Sequence, residues 1–198
     1  MSTPAPSIEF FAGYSSRLQD SLKTSNWAGV VKLASDIHRC WLEKRQVFFC
    51  GNGGSAGNAI HLANDFLYGI AKRPGGGLKA HALSANAAIL TCLANDIGYE
   101  KIYAEQLSVL ANPGDVLVVL SGSGNSPNIL AVLDQAKAMK VNSYAILGYT
   151  GGKCKALADV PIHFEVDDMQ IAEDLQLVVG HMLMQWLYLN RPQLAGTA

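Results

Sequence analysis

The stretch DVLVVLSGSGNSP, residues 115–127, decides the fold. Its first half is apolar on both faces, as a strand in the middle of a parallel sheet should be. Its second half sets three serines around two glycines. Proline then stands at the first position of an expected helix, where its missing N–H costs nothing. A buried strand running through such a loop into a helix is the unit of an α/β sheet, and the rest of the chain repeats it. Gln46–Cys50 is a second short apolar run, followed by Gly51-Asn52-Gly53-Gly54-Ser55-Ala56 and a helix expected over Asn58 to Tyr68.

Outward from these two units, strands are expected over Leu78–Leu83, Tyr144–Leu147 and Ile162–Val166. Helical stretches fall at Ala87–Leu93, Ile102–Leu110, Pro127–Met139 and Ile171–Leu189, the last ending at Asn190-Arg191-Pro192. Phe10, Phe11, Tyr14, Leu18 and Leu22 recur at helical spacing, and a second amphipathic pattern runs from Trp27 to Trp41. Two helices, at about 8–44, therefore precede the first strand, after a frayed start over residues 1–7. Without linker or repeat, the pattern predicts one domain over 1–198: a doubly wound α/β sheet flanked by helices. Both glycine-rich loops then fall at the carboxyl ends of strands, where such sheets bind ligands.

Composition narrows the function. The chain has 198 residues and a net charge of −1, which gives no electrostatic footprint for nucleic acid. Its apolar runs are too short for a membrane span and no signal peptide opens it, so a cytoplasmic setting is expected. Hydrophobic residues make up 49% against 16% charged, a surplus that hints at a covered subunit face. Cys40, Cys50, Cys92 and Cys154 show no zinc-finger or CxxC spacing and read as buried free thiols in a reducing cytosol.

The loops suit an anion. Glycines let backbone N–H groups approach a ligand, and a helix amino end favours negative charge. Gly51-x-Gly53-x-x-Ala56 formally matches a dinucleotide fingerprint. That motif requires an acid at the end of the next strand, about 20 residues on, and the chain has Ala82-Leu83-Ser84-Ala85 there. No lysine follows in P-loop spacing after Ser121–Ser126 or within Gly151-Gly152-Lys153-Cys154. A phosphate monoester fits better than a nucleotide cofactor.

GNGGSA (51–56), His61, Ala94-Asn95-Asp96 with IGYE (97–100), SGSGNSPNIL (121–130) and His181 together resemble a single sugar isomerase (SIS) domain. Within that superfamily the resemblance is to the phosphoheptose isomerases. It implies a five-stranded parallel sheet and a homotetramer with active sites between subunits. The implied reaction interconverts sedoheptulose 7-phosphate and a manno-heptose 7-phosphate through an enediol, with zinc assistance. By carry-over, Asp65 is the base and His181 the acid. Asn52, Gly53, Ser55, Asp96, Ser121, Gly122, Ser123 and Ser126 contact substrate, and His61, Asp65, Glu173 and His181 hold the metal. The family has glutamate where this chain has Asp65 and glutamine where it has Glu173. A stretch of the family that contains arginine is replaced by Gly69–Gly75. On an ideal helix Glu173 lies about 12 Å from His181, so it reaches the same ion only from a frayed start or from another subunit. The rival readings within the family are a non-catalytic adaptor for the bacterial replication initiator and an isomerase for a different sugar phosphate. His38, His81 and His163 carry no partner pattern and read as structural.

Overall fold

A computed structural model of the protein describes residues 5–23 and 27–192; the expected frayed start falls partly outside these, at residues 1–4. Five strands form one parallel sheet: β1 (Gln46–Gly51), β2 (Lys79–Ala82), β3 (Val116–Ser121), β4 (Asn142–Leu147) and β5 (Val160–His163). Their spatial order is β2-β1-β3-β4-β5. The chain leaves β1 for one edge and returns to β3 on the other side. β1 and β3 therefore flank the switch point where doubly wound sheets leave a crevice.

Strand alternation divides the interior into two layers. Val47 and Phe49 of β1, Val118 and Leu120 of β3, and Tyr144 and Ile146 of β4 face one core. That core is closed by α2 (Ala28–Leu42), α3 (Gly54–Asn64) and α8 (Met169–Leu189). Phe48, Cys50, Leu117, Val119 and Ala145 face the other. It is closed by α5 (Ala104–Leu110), α6 (Pro127–Met139) and the short α7 (Cys154–Leu157), with α4 (Ala87–Asp96) at its margin. The central strands are apolar on both faces because both faces are covered. The first helix, α1 (Ile8–Lys23), buries no residue and is tied to α8 through Tyr14, whose hydroxyl donates to Asp174 Oδ2 at 2.5 Å, and through Arg17, 3.2 Å from Asp168.

Most element ends shift by one to three residues from expectation, and three differences have a clear physical reason. Helix α3 begins at Gly54, four residues before Asn58, because Gly53 at φ +56° turns the strand straight into the helix. The same helix stops at Asn64 and continues as one π turn, Asp65–Gly69, with Ile70 N donating to Asp65 O at 3.0 Å. Strand β5 starts before Pro161 instead of after it; as an edge strand it pairs only with β4, and a proline is tolerated there.

Candidate active site

The two glycine loops converge at the β1/β3 switch point, around a cleft of about 210 Å3 lined by Asn52–Ser55, Leu120–Ser123, Ser126, Met169 and Glu173. Gly51 is required by proximity: a Cβ there would lie 2.7 Å from Ser55 Cβ and 2.8 Å from the Leu120 carbonyl oxygen. Helices α3 and α6 both start at this cleft without a side-chain cap, at Gly53 and Ser126. Their uncapped first turns present backbone donors and the positive end of the helix dipole.

An amide pair locks the loops together. Asn52 Nδ2 donates to Asn128 Oδ1 and Asn128 Nδ2 donates back to Asn52 Oδ1, each at 2.8 Å. Tyr99 Oη lies 3.3 Å from the same Asn52 oxygen, and the Tyr103 hydroxyl donates to Gly51 O at 2.5 Å. Asn52, expected on the substrate, thus spends its amide on the loop junction. Asn128 and Tyr99 stand inside the SGSGNSPNIL and IGYE motifs and Tyr103 just after the latter, yet the sequence alone marked none of them for this junction.

The serines divide their work. Ser121 is buried and its Oγ accepts from Gly124 N at 3.1 Å, bracing the loop from inside. Ser123 and Ser126 line the cleft, and the Ser126 hydroxyl caps no backbone N–H. Ser55 Oγ is buried and accepts from Gln176 Nε2 at 3.0 Å, while Gln176 Oε1 accepts from Asn58 Nδ2 at 3.0 Å, a polar bridge between α3 and α8. Gly151 and Gly152, both at positive φ, press against the second loop: a Cβ on Gly152 would lie 2.5 Å from Ser123 O. Cys154 N donates to Gly124 O and Lys153 N to Asn125 Oδ1, so this third glycine segment buttresses the second glycine loop.

Helices α3 and α8 lie side by side and run in the same direction, for Glu173 meets Gly54 at one end and His181 meets His61 further along. His61 Nε2 and His181 Nε2 are 2.9 Å apart, and Asp65 Oδ2 is 3.4 and 3.7 Å from them. The two histidines are half exposed while Asp65 is largely covered. These are three groups able to share one ion, with ligand atoms within 4.8 Å of one another. A tetrahedral zinc with bonds of about 2.0–2.1 Å holds its ligand atoms roughly 3.3 Å apart. The observed spacings bracket that value, and two imidazoles with one carboxylate are a catalytic-type donor set that leaves a fourth position open.

Glu173, expected as a ligand of the same ion, does not join this group within the subunit. It sits one turn inside α8, well ahead of His181, with its carboxylate in the glycine cleft against Gly54. Asp96, expected on the sugar, ends α4 in an exposed position off the cleft lining, and Cys92 Sγ lies 3.6 Å from its Oδ2. His38, His81 and His163 contact Asn190 O, Gln46 Oε1 and Tyr149 O, away from the site. No helix among the described residues is long and apolar enough to cross a membrane.

A family model described as the SIS domain matches residues 9–148. The phosphoheptose isomerase of Nitratidesulfovibrio vulgaris is 36% identical over 170 residues, 85% of this chain and 81% of that one. That of Burkholderia pseudomallei is 41% identical over 157 residues, 79% of each. Among solved structures, phosphoheptose isomerase GmhA from Neisseria gonorrhoeae superposes with a TM-score of 0.82 at 27% identity, covering 90% of this chain and 95% of that one.

Proposed function

The chain belongs to the SIS domain family, among the phosphoheptose isomerases, and from that premise we propose that it interconverts sedoheptulose 7-phosphate and D-glycero-D-manno-heptose 7-phosphate. The observation that carries this reading is the suspension of a phosphate cleft and an acid–base cluster on the same two parallel helices. Gly54 at the cleft and His61 in the cluster are seven residues apart on α3, a rise of about 10 Å. The eight bonds from phosphorus to C1 of an extended seven-carbon ester span about 9 Å, at roughly 3.5 Å per three bonds of extended chain. A seven-carbon substrate is the right length to touch both.

In the proposed reaction Ser123, Ser126 and the uncapped first turns of α3 and α6 hold the phosphate. Asp65 removes the C1 proton of the ketose, and the resulting enediol takes it back at C2. Its Oδ2 faces the histidines, and Oδ1, which accepts a long 3.4 Å hydrogen bond from the neighbouring Asn64 Nδ2, takes the carbon proton. His181 delivers a proton to O2 as the enediol forms and receives one from O1 as the aldose forms. His61 and the histidine–carboxylate contacts fix the orientation of both groups. His61, Asp65 and His181 also form the proposed zinc site, and a bound divalent ion would polarise the substrate oxygens as charge develops on them. A histidine nitrogen that holds an ion carries no proton at that atom, so ion-holding and acid duty at His181 Nε2 alternate. We carry the homotetramer forward as a proposal, supported by the exposed Val31, Met182 and Trp186, which line an apolar groove between α2 and α8 beside His181.

The test is turnover of sedoheptulose 7-phosphate followed by NMR, with six-carbon ketose phosphates alongside and with chelator present or absent. Where the abstracted proton exchanges with solvent, deuterium should enter C2 of the aldose, and C1 of the ketose whenever the enediol returns. A chain that binds zinc but converts none of these substrates would refute the reading.

A further inference from the structure

Among the described residues no lysine or arginine lines the cleft, yet a carboxylate does. Glu173 extends from α8 across the first turn of α3: a methyl group on Gly54 would lie 2.2 Å from Oε2 and 2.5 Å from Oε1. Only glycine leaves room for the acid at that point. The carboxylate oxygens accept no hydrogen bond from a described side chain in the contacts around the cleft; it is the backbone carbonyl of Glu173 that accepts from Asn58 Nδ2 at 3.0 Å. Gln176, on the next turn of α8, is by contrast fully engaged with Asn58 and Ser55. The cleft therefore presents dipolar donors from Ser123, Ser126 and two helix ends, with a single negative charge set against the first turn of α3. At about 210 Å3 it keeps any occupant close to both.

We propose that Glu173 is a specificity-determining residue that makes the cleft select polyhydroxylated phosphate esters over bare phosphate. The inference rests on the sugar-phosphate reading of the cleft and adds how it discriminates. Like charges in a confined, partly desolvated site repel strongly. Inorganic phosphate suffers that repulsion with nothing in return. An ester carries hydroxyl groups beside its phosphate, and these donate to the Glu173 carboxylate in charge-assisted hydrogen bonds. The repulsion and the hydroxyl contacts offset one another only for the ester. A neutral amide at the same position still accepts a hydroxyl hydrogen bond but removes the repulsion, so it binds both ligands and separates them less.

The experiment compares dissociation constants for inorganic phosphate and for sedoheptitol 7-phosphate, the reduced and unreactive ester, by titration calorimetry on the full chain. In Glu173→Gln the phosphate constant should tighten at least about tenfold, about 1.4 kcal/mol, while the ester constant changes less. The ratio of the two then falls by about that factor. Asp174→Asn is the control. It removes the same unit of charge one residue away, where the side chain points to Tyr14, and should leave the ratio within twofold. An unchanged ratio in Glu173→Gln, or an equal shift in Asp174→Asn, overturns the proposal. If isomerase activity is intact when that happens, the functional reading stands and only the role of Glu173 falls. Failure of the wild-type chain to bind the ester overturns both.

Discussion

The approach of α3 to α8 rests on Gly180, and adding one methyl group there should disturb chemistry before it disturbs the fold. An alanine Cβ at 180 would lie 2.2 Å from Leu62 Cδ2, 2.8 Å from Cδ1 and 3.1 Å from Cγ. Carbon atoms in good contact stand about 3.5–4.0 Å apart, so the shortfall is at least about 1.3 Å. Leu62 is 1% exposed and packed in the core, so it has no open space into which to turn. The strain therefore passes to the helix pair. Leu62 adjoins His61 and Gly180 adjoins His181, so separating the helices opens the histidine pair itself. Overpacking of this kind costs about 1–3 kcal/mol, against which alanine regains up to about 1 kcal/mol of helix propensity. For a chain of this size the net loss, up to about 2 kcal/mol, lowers Tm by at most roughly 8 °C. A displacement near 1 Å at the reacting groups costs about 100-fold in rate. Gly180→Ala should thus lose kcat far out of proportion to its Tm. Adding Leu62→Ala removes the clashing methyls, so the double variant should recover part of the rate despite the cavity it creates. The assays are kcat and thermal melting of the two single variants and the double variant. Full activity in Gly180→Ala, or strictly additive effects in the double variant, would refute the reasoning.

Other expectations follow from the site and the core. Ser126→Ala should weaken binding of sedoheptitol 7-phosphate by about 10- to 100-fold, the worth of a hydrogen bond to a charged group, with little change in Tm; calorimetry and melting read the two. Gly152→Ala should damage both, since its Cβ would strike the carbonyls of Ser123 and Gly124 at 2.5 and 2.6 Å from a backbone at φ +51°; the same two measurements check it, and a silent variant would remove the buttress from the account. Asp65→Asn should abolish deuterium exchange at C1 while ester binding by calorimetry persists. Burial pushes the Cys40 and Cys154 thiols from near 9 up to about 11. The folded state keeps protons that the unfolded chain gives up, so this contribution is complete below about pH 9 and fades as pH rises toward 11. Urea midpoints should fall across that window in the wild type and fall less steeply in Cys154→Ala.

The sequence made the sheet legible because both central strands are apolar on both faces and each runs into glycine. Strand order was not legible there; it comes from the backbone pairing, which sets β1 and β3 side by side. The start of α3 was harder to see. Gly-Ser-Ala-Gly has poor helix propensity, and only the turn at Gly53, visible in the backbone, lets the helix begin there. The π turn at Asp65 leaves no mark in hydrophobic periodicity, because it adds a residue without changing which side chains are apolar. Of the site, His61, Asp65 and His181 were named in advance and stand together. Glu173 and Asp96 were not placed with their expected partners, since spacing along one helix says nothing about which neighbour an acid will face. The amide pair of Asn52 and Asn128, 76 positions apart, was invisible for the same reason.

That pair also constrains how the sequence can drift. Each carboxamide gives one hydrogen bond and receives one, so the ring closes only when both positions carry a group with both capacities. Aspartate at either position would set acceptor against acceptor in a junction that two tyrosine hydroxyls already approach from the same side. A single change to a group that lacks one of the two capacities leaves a polar atom unmet, so such replacements should occur in pairs. Two loops from strands far apart in the chain are thus tied to each other as one inherited unit.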